Sequence, residues 1–435
     1  MNERRVLILC YFFPPLAGGG VHRVLSFVRH LPAAGWRVTV VCAGEEDYWV
    51  KDATLDSELP PGTEVIRVRG GSALAAWLRG PGAKEAAGRR RAGRFAALRT
   101  LSDWFLIPDS YAAWAQRAEP VVRRRLAAGD IQAVITSSPP DSVHLAGRSI
   151  ARSTRTPWIA DFRDPWIALH FRTPPTAYHR ARHTALERSV VGEARMVLAA
   201  SRTHADDLSA MTGPDGGPLA QQVEYLPNGF EPAAGTVRAA DPPDGTFALV
   251  FTGTLAKMPG TAVFLDALAA WLAARPDARA RVRAVLAGPH EIEDETRAQA
   301  LGLADVVAFP GPLAHRAARA LQRRADLLLL WKPAGAGYRT MVPGKLYEYL
   351  DAGRPLLALI PEGEEASRLA REGGAERVDP DDRTALARAL ERQFDAWAQR
   401  GPAPDQRAGW IADHERAAIA RRLAGLLDQV AEPRS

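Results

Sequence analysis

Short runs of β-branched and aliphatic residues alternate along this chain with longer amphipathic stretches, the order found in proteins built from strand–helix–strand units. The alternation occurs twice, first between residues 6 and 226 and again between residues 249 and 360. A polar, turn-forming stretch, Asp-Pro-Pro-Asp-Gly at 241–245, separates the two. The pattern predicts an α/β protein with two tandem, doubly wound, Rossmann-like domains, each a parallel sheet with helices on both faces.

Twelve short runs have the length and composition of strands. In chain order they are Val6–Cys10, Val38–Cys42, Val65–Val68, Val134–Thr136, Trp158–Ala160, Met196–Ala199, Val223–Leu226, Leu249–Phe251, Val282–Leu286, Val306–Phe309, Leu327–Leu330 and Leu356–Ile360. From their grouping we expect an N-terminal domain at 1–232, a linker at 233–245 and a C-terminal domain at 246–408.

Two segments depart from the alternation. In residues 71–110, tryptophans and leucines are interspersed with arginines, and strand signals are poor. This insertion fits a helix pair packed on the sheet, or a basic amphipathic pair that lies on a membrane surface. Residues 409–435 predict a terminal helix, because Ile419, Leu423 and Leu427 recur on one helical face.

The composition of the 435 residues excludes several classes of protein. The formal net charge is +6, but no zinc spacing or RNA-binding signature accompanies the basic residues, so we predict no nucleic-acid partner. No apolar run approaches the roughly 18 residues that a membrane-spanning helix needs. Cys10 and Cys42 both lie in strand-like runs, which predicts buried thiols and a cytoplasmic location.

A glycine-rich turn, Phe13–Gly20, follows the first predicted strand and opens the first predicted helix. Gly18, Gly19 and Gly20 would let the backbone approach a ligand, and a helix start offers free N–H groups to an anion. The turn lacks the G-x-G-x-x-G spacing of dinucleotide-binding proteins. A purely conformational role for the glycines remains open.

Five segments, taken together in this order, resemble glycosyltransferase family 4, whose members are retaining enzymes of the GT-B fold. They are the glycine turn, Trp158–Trp166, Asn228-Gly229, Phe251–Lys257 and Met341–Pro355. The likeness extends from residue 5 to around residue 380. A branch of the family that makes bacterial surface glycans is similar at residues 161–166, where it has D-x-R-D-x-W. The likeness implies an interdomain cleft and a terminal helix that packs back on the N-terminal domain.

The resemblance also implies roles for individual residues. A nucleotide-diphosphate sugar would be held mainly by the C-terminal domain, and its acceptor mainly by the N-terminal domain. The implied donor-binding residues are Gly18, Gly19, Gly20, Gly253, Lys257, Pro343, Gly344, Lys345, Leu346 and Glu348. Lys257 would place a cation on the diphosphate, and Glu348 would bind the ribose hydroxyls. The candidate catalytic residues are Asp161, Arg163, Asp164 and His144, with Trp166 beside them.

Three positions depart from the family pattern. The acid usually found eight residues before the ribose-binding carboxylate is here Thr340, and the usual arginine after the glycine of the first C-domain loop is Thr254. No histidine follows the strand at 158–160. These changes leave a noncatalytic binding protein open as an alternative. For Arg163, a salt bridge with its neighbouring acids is the structural alternative.

The prediction from sequence is a retaining glycosyltransferase that moves a sugar from a nucleotide-diphosphate sugar to a glycan or lipid-linked acceptor. A UDP-sugar is the expected donor. A nucleotide-sugar 2-epimerase is a further alternative. Asp161 and Asp164 do not form a D-x-D metal motif, so we predict no metal and no cofactor besides the donor. The basic insertion leaves peripheral association with the inner face of the membrane open.

Overall fold

The computed structural model describes residues 4–16, 20–47, 51–70, 104–167, 174–232 and 245–431. The chain forms two compact units. The N-terminal unit comprises Met1–Asn228 and Arg416–Ser435, and the C-terminal unit comprises Gly229–Glu415. The domain limits expected from sequence, 232 and 408, lie a few residues from these. Most of the expected linker (233–244), and residues 71–103 of the expected insertion, lie outside the described residues.

The N-terminal unit contains a seven-stranded parallel sheet with the order β3-β2-β1-β4-β5-β6-β7. Its strands are β1 (Arg4–Cys10), β2 (Trp36–Ala43), β3 (Glu64–Val68), β4 (Ala133–Ser138), β5 (Trp158–Phe162), β6 (Met196–Ala199) and β7 (Val223–Tyr225). Its helices up to this point are α1 (His22–His30), α2 (Ala112–Leu126), α3 (Ser142–Thr154), α4 (Ala177–Glu193) and α5 (Arg202–Ser209), with 3-10 turns at Leu31–Ala34, Glu45–Asp47 and Ala53–Glu58.

The C-terminal unit contains a six-stranded sheet with the order β10-β9-β8-β11-β12-β13. Its strands are β8 (Phe247–Thr252), β9 (Val282–Ala287), β10 (Val307–Ala308), β11 (Leu327–Trp331), β12 (Leu356–Leu359) and β13 (Glu376–Val378). Its helices are α6 (Pro259–Ala274), α7 (Pro276–Arg279), α8 (Ile292–Ala300), α9 (His315–Arg323), α10 (Gly344–Ala352), α11 (Glu365–Glu372) and α12 (Arg383–Arg400), with 3-10 turns at Ala336–Tyr338 and Gly409–His414.

The last helix, α13 (Arg416–Ala431), belongs to the N-terminal unit. The predicted apolar face, including Ile419, Leu423 and Leu427, is buried in one cluster with Phe27 and Val28 of α1. The helix begins at Arg416, after the 3-10 turn Gly409–His414, which lies in the C-terminal unit.

Alternation along β1 explains why the sheet is covered on both faces. Leu7 and Leu9 are buried in a cluster with residues of α2 and α3, whereas Val6 and Ile8 are buried in the cluster that contains α1 and α13. Successive side chains of a strand point to opposite faces, so a fully apolar strand needs helices on each side. The predicted α/β fold with two Rossmann-like domains is confirmed. Strand β13 was missed, because Glu376–Val378 contains only one apolar residue.

Candidate active site

Each sheet reverses its strand order at one place. β1 and β4 are neighbours in the N-terminal unit, and β8 and β11 are neighbours in the C-terminal unit, while the later strands are added outward in opposite directions from each pair. In open parallel sheets, ligands bind beyond the carboxyl ends of the strands at such a reversal. We therefore expect one ligand-binding site in each unit, formed by the loops that follow these strands.

Arg163 lies at the reversal of the N-terminal unit. Its Nε and Nη2 donate to the carbonyls of Ser138, which ends β4, and Pro139, which follows it, each at 2.7 Å. Its Nη1 donates to the carbonyl of Gly20 after β1. Burial lowers the pKa of Arg163, and the charge of Asp164 opposes that shift. Its hydrogen bonds go to carbonyl groups rather than carboxylates, which differs from the salt-bridged alternative considered from sequence. The guanidinium thus ties three loops together.

Gly20 is the one glycine of the Phe13–Gly20 turn that the structure describes. A Cβ at this position would lie 3.3 Å from Nη1 of Arg163, so a side chain here would press on the guanidinium. Gly18 and Gly19 lie outside the described residues. Packing against Arg163 thus explains why glycine is favoured at position 20, and this could not be predicted from the sequence.

Asp161 is fully buried and bonded on both oxygens. Arg23 donates to it through Nε, at 3.1 and 3.0 Å, and through Nη2 at 2.7 Å, and the Ser137 hydroxyl donates to Oδ2 at 2.8 Å. A carboxylate with these partners has little capacity left for a substrate hydroxyl. These contacts favour a structural role for Asp161 beneath the site, and its contact with substrate stays a prediction.

Arg23 was not singled out by sequence reasoning. It is only 3% exposed, and besides Asp161 it bonds to the segment that ends the N-terminal unit. Its Nη1 donates to the carbonyls of Leu226 and Pro227 at 2.9 and 2.8 Å and to Oδ1 of Asn228 at 3.2 Å. An arginine on the second position of a helix carries no sequence signal of burial, so only the tertiary structure shows that it joins β5 to this segment.

His144 is also buried completely, in the first turn of α3. Trp158 Nε1 donates to Thr136 Oγ1 at 2.8 Å, and the Thr136 hydroxyl is hydrogen-bonded to His144 Nδ1 at 2.7 Å. The His144 ring also lies 4.4 Å from the ring of Phe162. Burial lowers the pKa of His144 to about 3. The core encloses this neutral ring, which favours a structural role for His144, and its part in catalysis stays a prediction.

The remaining two residues of the D-x-R-D-x-W segment lie in different environments. Asp164 is half-buried and acts electrostatically on Arg163. Trp166 is fully buried, and its Nε1 donates to Nδ1 of His183 at 3.0 Å. Of this segment, Arg163 and Asp164 are the residues left at the edge where a ligand would bind.

In the C-terminal unit, two loops approach each other without side chains between them. Gly288, with φ +149°, lies so close to the carbonyl of Gly253 that a Cβ would come within 1.9 Å of its oxygen. Gly253, with φ +128°, faces Lys345, and a Cβ there would lie 2.6 Å from Nζ. Both positions therefore require glycine. Gly253 was predicted, whereas Gly288 was missed.

Lys345 is partly buried between this loop and β8. Its Nζ lies 3.8 Å from the centre of the Phe251 ring, a cation–π contact. Burial lowers the pKa of Lys345 to about 7, and the charge of Glu348 opposes the shift. Since no hydrogen bond or ion pair of its ammonium group is found among the described residues, Nζ is able to bind an anion.

Glu348, one turn further along α10, is held from α9. His315 Nε2 lies 3.1 Å from Oε1, and Gln322 Nε2 donates to Oε2 at 3.1 Å. Burial raises the pKa of Glu348, but the hydrogen bond from His315, the charge of Arg319 and the bond from Gln322 lower it further, so the net shift is downward. The carboxylate is therefore ionised and fixed in orientation, with lone pairs left over.

The donor-binding residues predicted at the start of α10 are of two kinds, those with free backbone amides and one with a buried side chain. Pro343 is its N-cap residue, and the amide of Leu346 donates to the Pro343 carbonyl at 2.9 Å. The amides of Gly344 and Lys345 have no acceptor within the described part of the chain, as is usual in a first turn. Leu346 itself is completely buried in the core, so its side chain cannot touch a donor.

Two further lysines lie in the loops after β8 and β11. Lys257 is exposed with φ +60°, and no partner of its side chain is found among the described residues. Lys332, which sequence reasoning missed, is buried. It pairs with Glu364 and donates to the Tyr338 carbonyl at 2.6 Å, which fixes the segment leading to α10.

Comparisons with known proteins agree with this architecture. The sequence profile of the glycosyl transferase 4-like domain matches residues 18–229. Curated protein sequences give no significant match. Similar solved structures include sucrose-phosphate synthase from Thermosynechococcus elongatus, with 16% identity, a TM-score of 0.62 and coverage of 98% of each chain.

Two other solved structures have the same degree of likeness. HepE from Anabaena, in complex with UDP, is 16% identical with a TM-score of 0.61, covering 98% of this chain and 100% of that one. Trehalose 6-phosphate synthase from Burkholderia multivorans is 16% identical with a TM-score of 0.63, covering 99% and 97%. At these identities the likeness establishes the fold.

The fold and the profile match together define the class of the protein, which is a glycosyltransferase of the GT-B fold. Within that class, residues 18–229 resemble the glycosyl transferase 4-like domain. Among the described helices, none combines the length and the apolarity that crossing a membrane requires.

Proposed function

We propose that the chain transfers a sugar from a UDP-sugar to a glycan or lipid-linked acceptor, with retention of the anomeric configuration. The observation that carries the proposal is the pairing of an oriented carboxylate, Glu348, with an unpaired cation, Lys345, one turn apart on α10. The similar HepE structures in complex with UDP and with UDP-glucose support a uridine donor.

Glu348 is suited to a sugar diol. Each of its oxygens already accepts one bond from α9, which fixes the plane of the carboxylate, and each keeps a lone pair for a hydroxyl donor. Two hydroxyl groups on adjacent carbons of ribose match that geometry. We therefore assign the ribose of the donor to Glu348.

The diphosphate is assigned to the first turn of α10. The free amides of Gly344 and Lys345 point along the positive end of the helix dipole, and the Lys345 ammonium supplies a full charge. Lys257 adds a second cation from the exposed loop after β8. Because these groups supply positive charge, the proposal includes no metal, and transfer is expected to continue in the presence of a chelator.

During transfer, the bond between the anomeric carbon and the diphosphate oxygen breaks, and its electron pair stays on the departing phosphate. The acceptor hydroxyl forms the new bond from the same face and passes its proton to that phosphate oxygen. Cations and amides that stabilise the developing negative charge lower the barrier. Arg163 is a positioning residue in this proposal, because it holds the Gly20 turn and the loop after β4.

The test is a thermal-shift titration with UDP, GDP, ADP and their common sugar conjugates. A ligand at 100 times its dissociation constant stabilises the protein by about 2.7 kcal/mol. We expect UDP and a UDP-sugar to stabilise the wild type, Glu348→Ala to lose most of that shift, and the control Asp381→Ala, an exposed acid of the same unit, to keep it. Absence of any nucleotide shift in the wild type would contradict the proposal.

A further inference from the structure

Gln322 is buried beside Glu348, and each polar atom of its amide has a partner. It lies in α9 and is only 1% exposed. Its Nε2 donates to Oγ1 of Thr252 at 2.9 Å and to Oε2 of Glu348 at 3.1 Å, and its Oε1 accepts from Nη1 of Arg319 at 3.0 Å. An amide nitrogen carries two hydrogens, so both are engaged. One neutral side chain thus joins α9 to β8 and α10.

Arg319 determines which way this amide faces. Its guanidinium is 4% exposed and is held by the carbonyl of Glu348, to which Nη1 donates at 2.8 Å, and by the carboxylate of Asp351. A guanidinium only donates hydrogen bonds, so it requires the oxygen of Gln322 on its side. The reversed amide would place two N–H groups against a buried cation. The NH2 group of Gln322 is therefore directed at Thr252 and Glu348.

The two acceptors belong to the two parts of the assigned donor site. Thr252 ends β8 and directly precedes Gly253, the glycine against which Nζ of Lys345 lies. Glu348 lies one turn after Lys345 on α10. Because Gln322 donates to both acceptors through one nitrogen, it fixes the carboxylate assigned to the ribose relative to the loop that lies against the cation assigned to the diphosphate.

Two side chains of α9 hydrogen-bond the Glu348 carboxylate, and Gln322 is the better shielded from water. The His315 side chain is 70% exposed, so water competes for its contact with Oε1. Gln322 is enclosed, and an enclosed hydrogen bond is electrostatically stronger than the same bond in water. A neutral donor also orients a carboxylate without neutralising its charge. Gln322 is therefore the partner that mainly fixes the plane of this carboxylate.

We propose that Gln322 is a positioning residue of the donor site, which orients the Glu348 carboxylate for the two hydroxyl groups of ribose. The inference rests on the proposed function and adds the residue that makes the site selective for ribose. A positioning role and a purely structural role predict different results. If Gln322 only supports the fold, its loss weakens the binding of every uridine nucleotide equally. If it orients Glu348, its loss removes mainly the preference for ribose over 2′-deoxyribose.

The test is calorimetric titration of the full chain with UDP and with 2′-deoxy-UDP. We expect the wild type to bind UDP about tenfold more tightly, the effect of one hydrogen bond to a charged group. Gln322→Glu keeps an oxygen acceptor for Arg319 but replaces the donor to Glu348 by a second carboxylate, so the preference should fall to about twofold or less. Gln299→Glu makes the same change at an exposed glutamine of α8 and, as the matched control, should keep the full preference.

Gln322→Met separates the lost donor from the added charge. It introduces no charge, so a preference that also falls in this variant, to about threefold, is due to the missing N–H group. Urea unfolding establishes that each variant is folded, and Gln322→Met provides the result if Gln322→Glu does not fold. An undiminished preference for UDP in the folded variants, or an equal loss of affinity for the two nucleotides, would overturn the inference.

Failure of the proposed function is recognised from other proteins in the same experiment. If the wild type does not bind UDP or shows no preference for it, or if Glu348→Ala keeps the preference, Glu348 does not bind the ribose. Both the ribose assignment and the role of Gln322 are then overturned. If the wild type and Glu348→Ala behave as expected and the Gln322 variants keep the preference, only the role of Gln322 is overturned.

Discussion

Asp161 and Arg163 stand two residues apart at the end of β5, but their partners are of different kinds. Asp161 is enclosed by Arg23 and Ser137, whereas Arg163 holds the carbonyls of two loops. Residues two apart in an extended segment point to the same side, so the strand period does not say which of the two will find a counter-ion. The pairing of Asp161 with Arg23 of α1 is visible only in the tertiary structure.

Asp161→Asn should destabilise the N-terminal unit by about 3–5 kcal/mol, because it leaves the buried Arg23 charge unpaired. Urea unfolding measures this loss. Adding Arg23→Met to Asp161→Asn should recover part of it, whereas Asp206→Asn, an exposed acid, should have no effect. A stable Asp161→Asn protein without turnover would restore the catalytic role expected from sequence.

Lys345 should make donor binding depend on pH. Because burial lowers its pKa to about 7, the cation is lost as pH rises through that value, and UDP-sugar affinity should fall by up to about tenfold per pH unit above it. A UDP-sugar is used because its diphosphate is fully ionised on both sides of neutral pH, so its charge does not change over the titration. Calorimetric titration of Lys345→Met should give weak affinity with no such dependence, while Arg388→Ala should behave as the wild type. A steep pH dependence retained in Lys345→Met would assign it to another group.

The same lysine should also affect stability, with the opposite sense. Its folded pKa lies below the ordinary value of 10.5, so between about pH 7 and 10.5 the unfolded chain binds more protons and stability rises with pH. Lys345→Met should therefore gain most stability at or below pH 7. A gain of about 1 kcal/mol corresponds to a melting point higher by roughly 2–4 °C. Unfolding of both proteins at pH 6 and pH 9 measures it, and equal differences at the two pH values would argue against a desolvated ammonium.

At the scale of elements, the hydrophobic periodicity predicted which residues of a strand or helix are buried, but not which other element covers them. The apolar faces of β1 and α13 were readable because their spacing follows the strand and helix periods. In the structure, α13 packs against α1 and so belongs to the N-terminal unit. This packing depends on which apolar surfaces come into contact in the folded chain. The resemblance implied this packing, but the helical period alone would fit any uncovered face.

Leu423→Ala tests that packing. Leu423 is completely buried in the cluster with α1, so its truncation should cost about 2–5 kcal/mol through lost burial and the cavity left behind. Calorimetry should show an earlier transition for the N-terminal unit. Arg421→Gln, two residues away and exposed, is the control and should melt normally. No change for Leu423→Ala would mean that α13 contributes little to this core.

At the scale of the whole molecule, each unit has its own hydrophobic clusters and its own sheet. The assigned donor-binding residues that the structure describes best, Lys345 and Glu348, belong to the C-terminal unit. Arg163, at the strand reversal of the other sheet, belongs to the N-terminal unit.

Two thermal transitions are therefore expected, and a UDP-sugar should raise only one of them. Leu423→Ala identifies the transition of the N-terminal unit, and the ligand should move the other. Differential scanning calorimetry with and without the UDP-sugar makes the assignment. If the ligand moves the transition that Leu423→Ala lowers, the donor has been placed in the wrong unit.

The sequence by itself determined the α/β class, the two-fold alternation and the motifs on α10, because hydrophobic period and local turn chemistry are written in neighbouring residues. The resemblance added the activity class that the profile match over 18–229 supports. The tertiary structure decided which polar residues are enclosed. Asp161, His144 and Leu346 are buried by elements distant in sequence, whereas Arg163, Lys345 and Glu348 remain partly exposed. Burial depends on those long-range contacts rather than on the local sequence pattern.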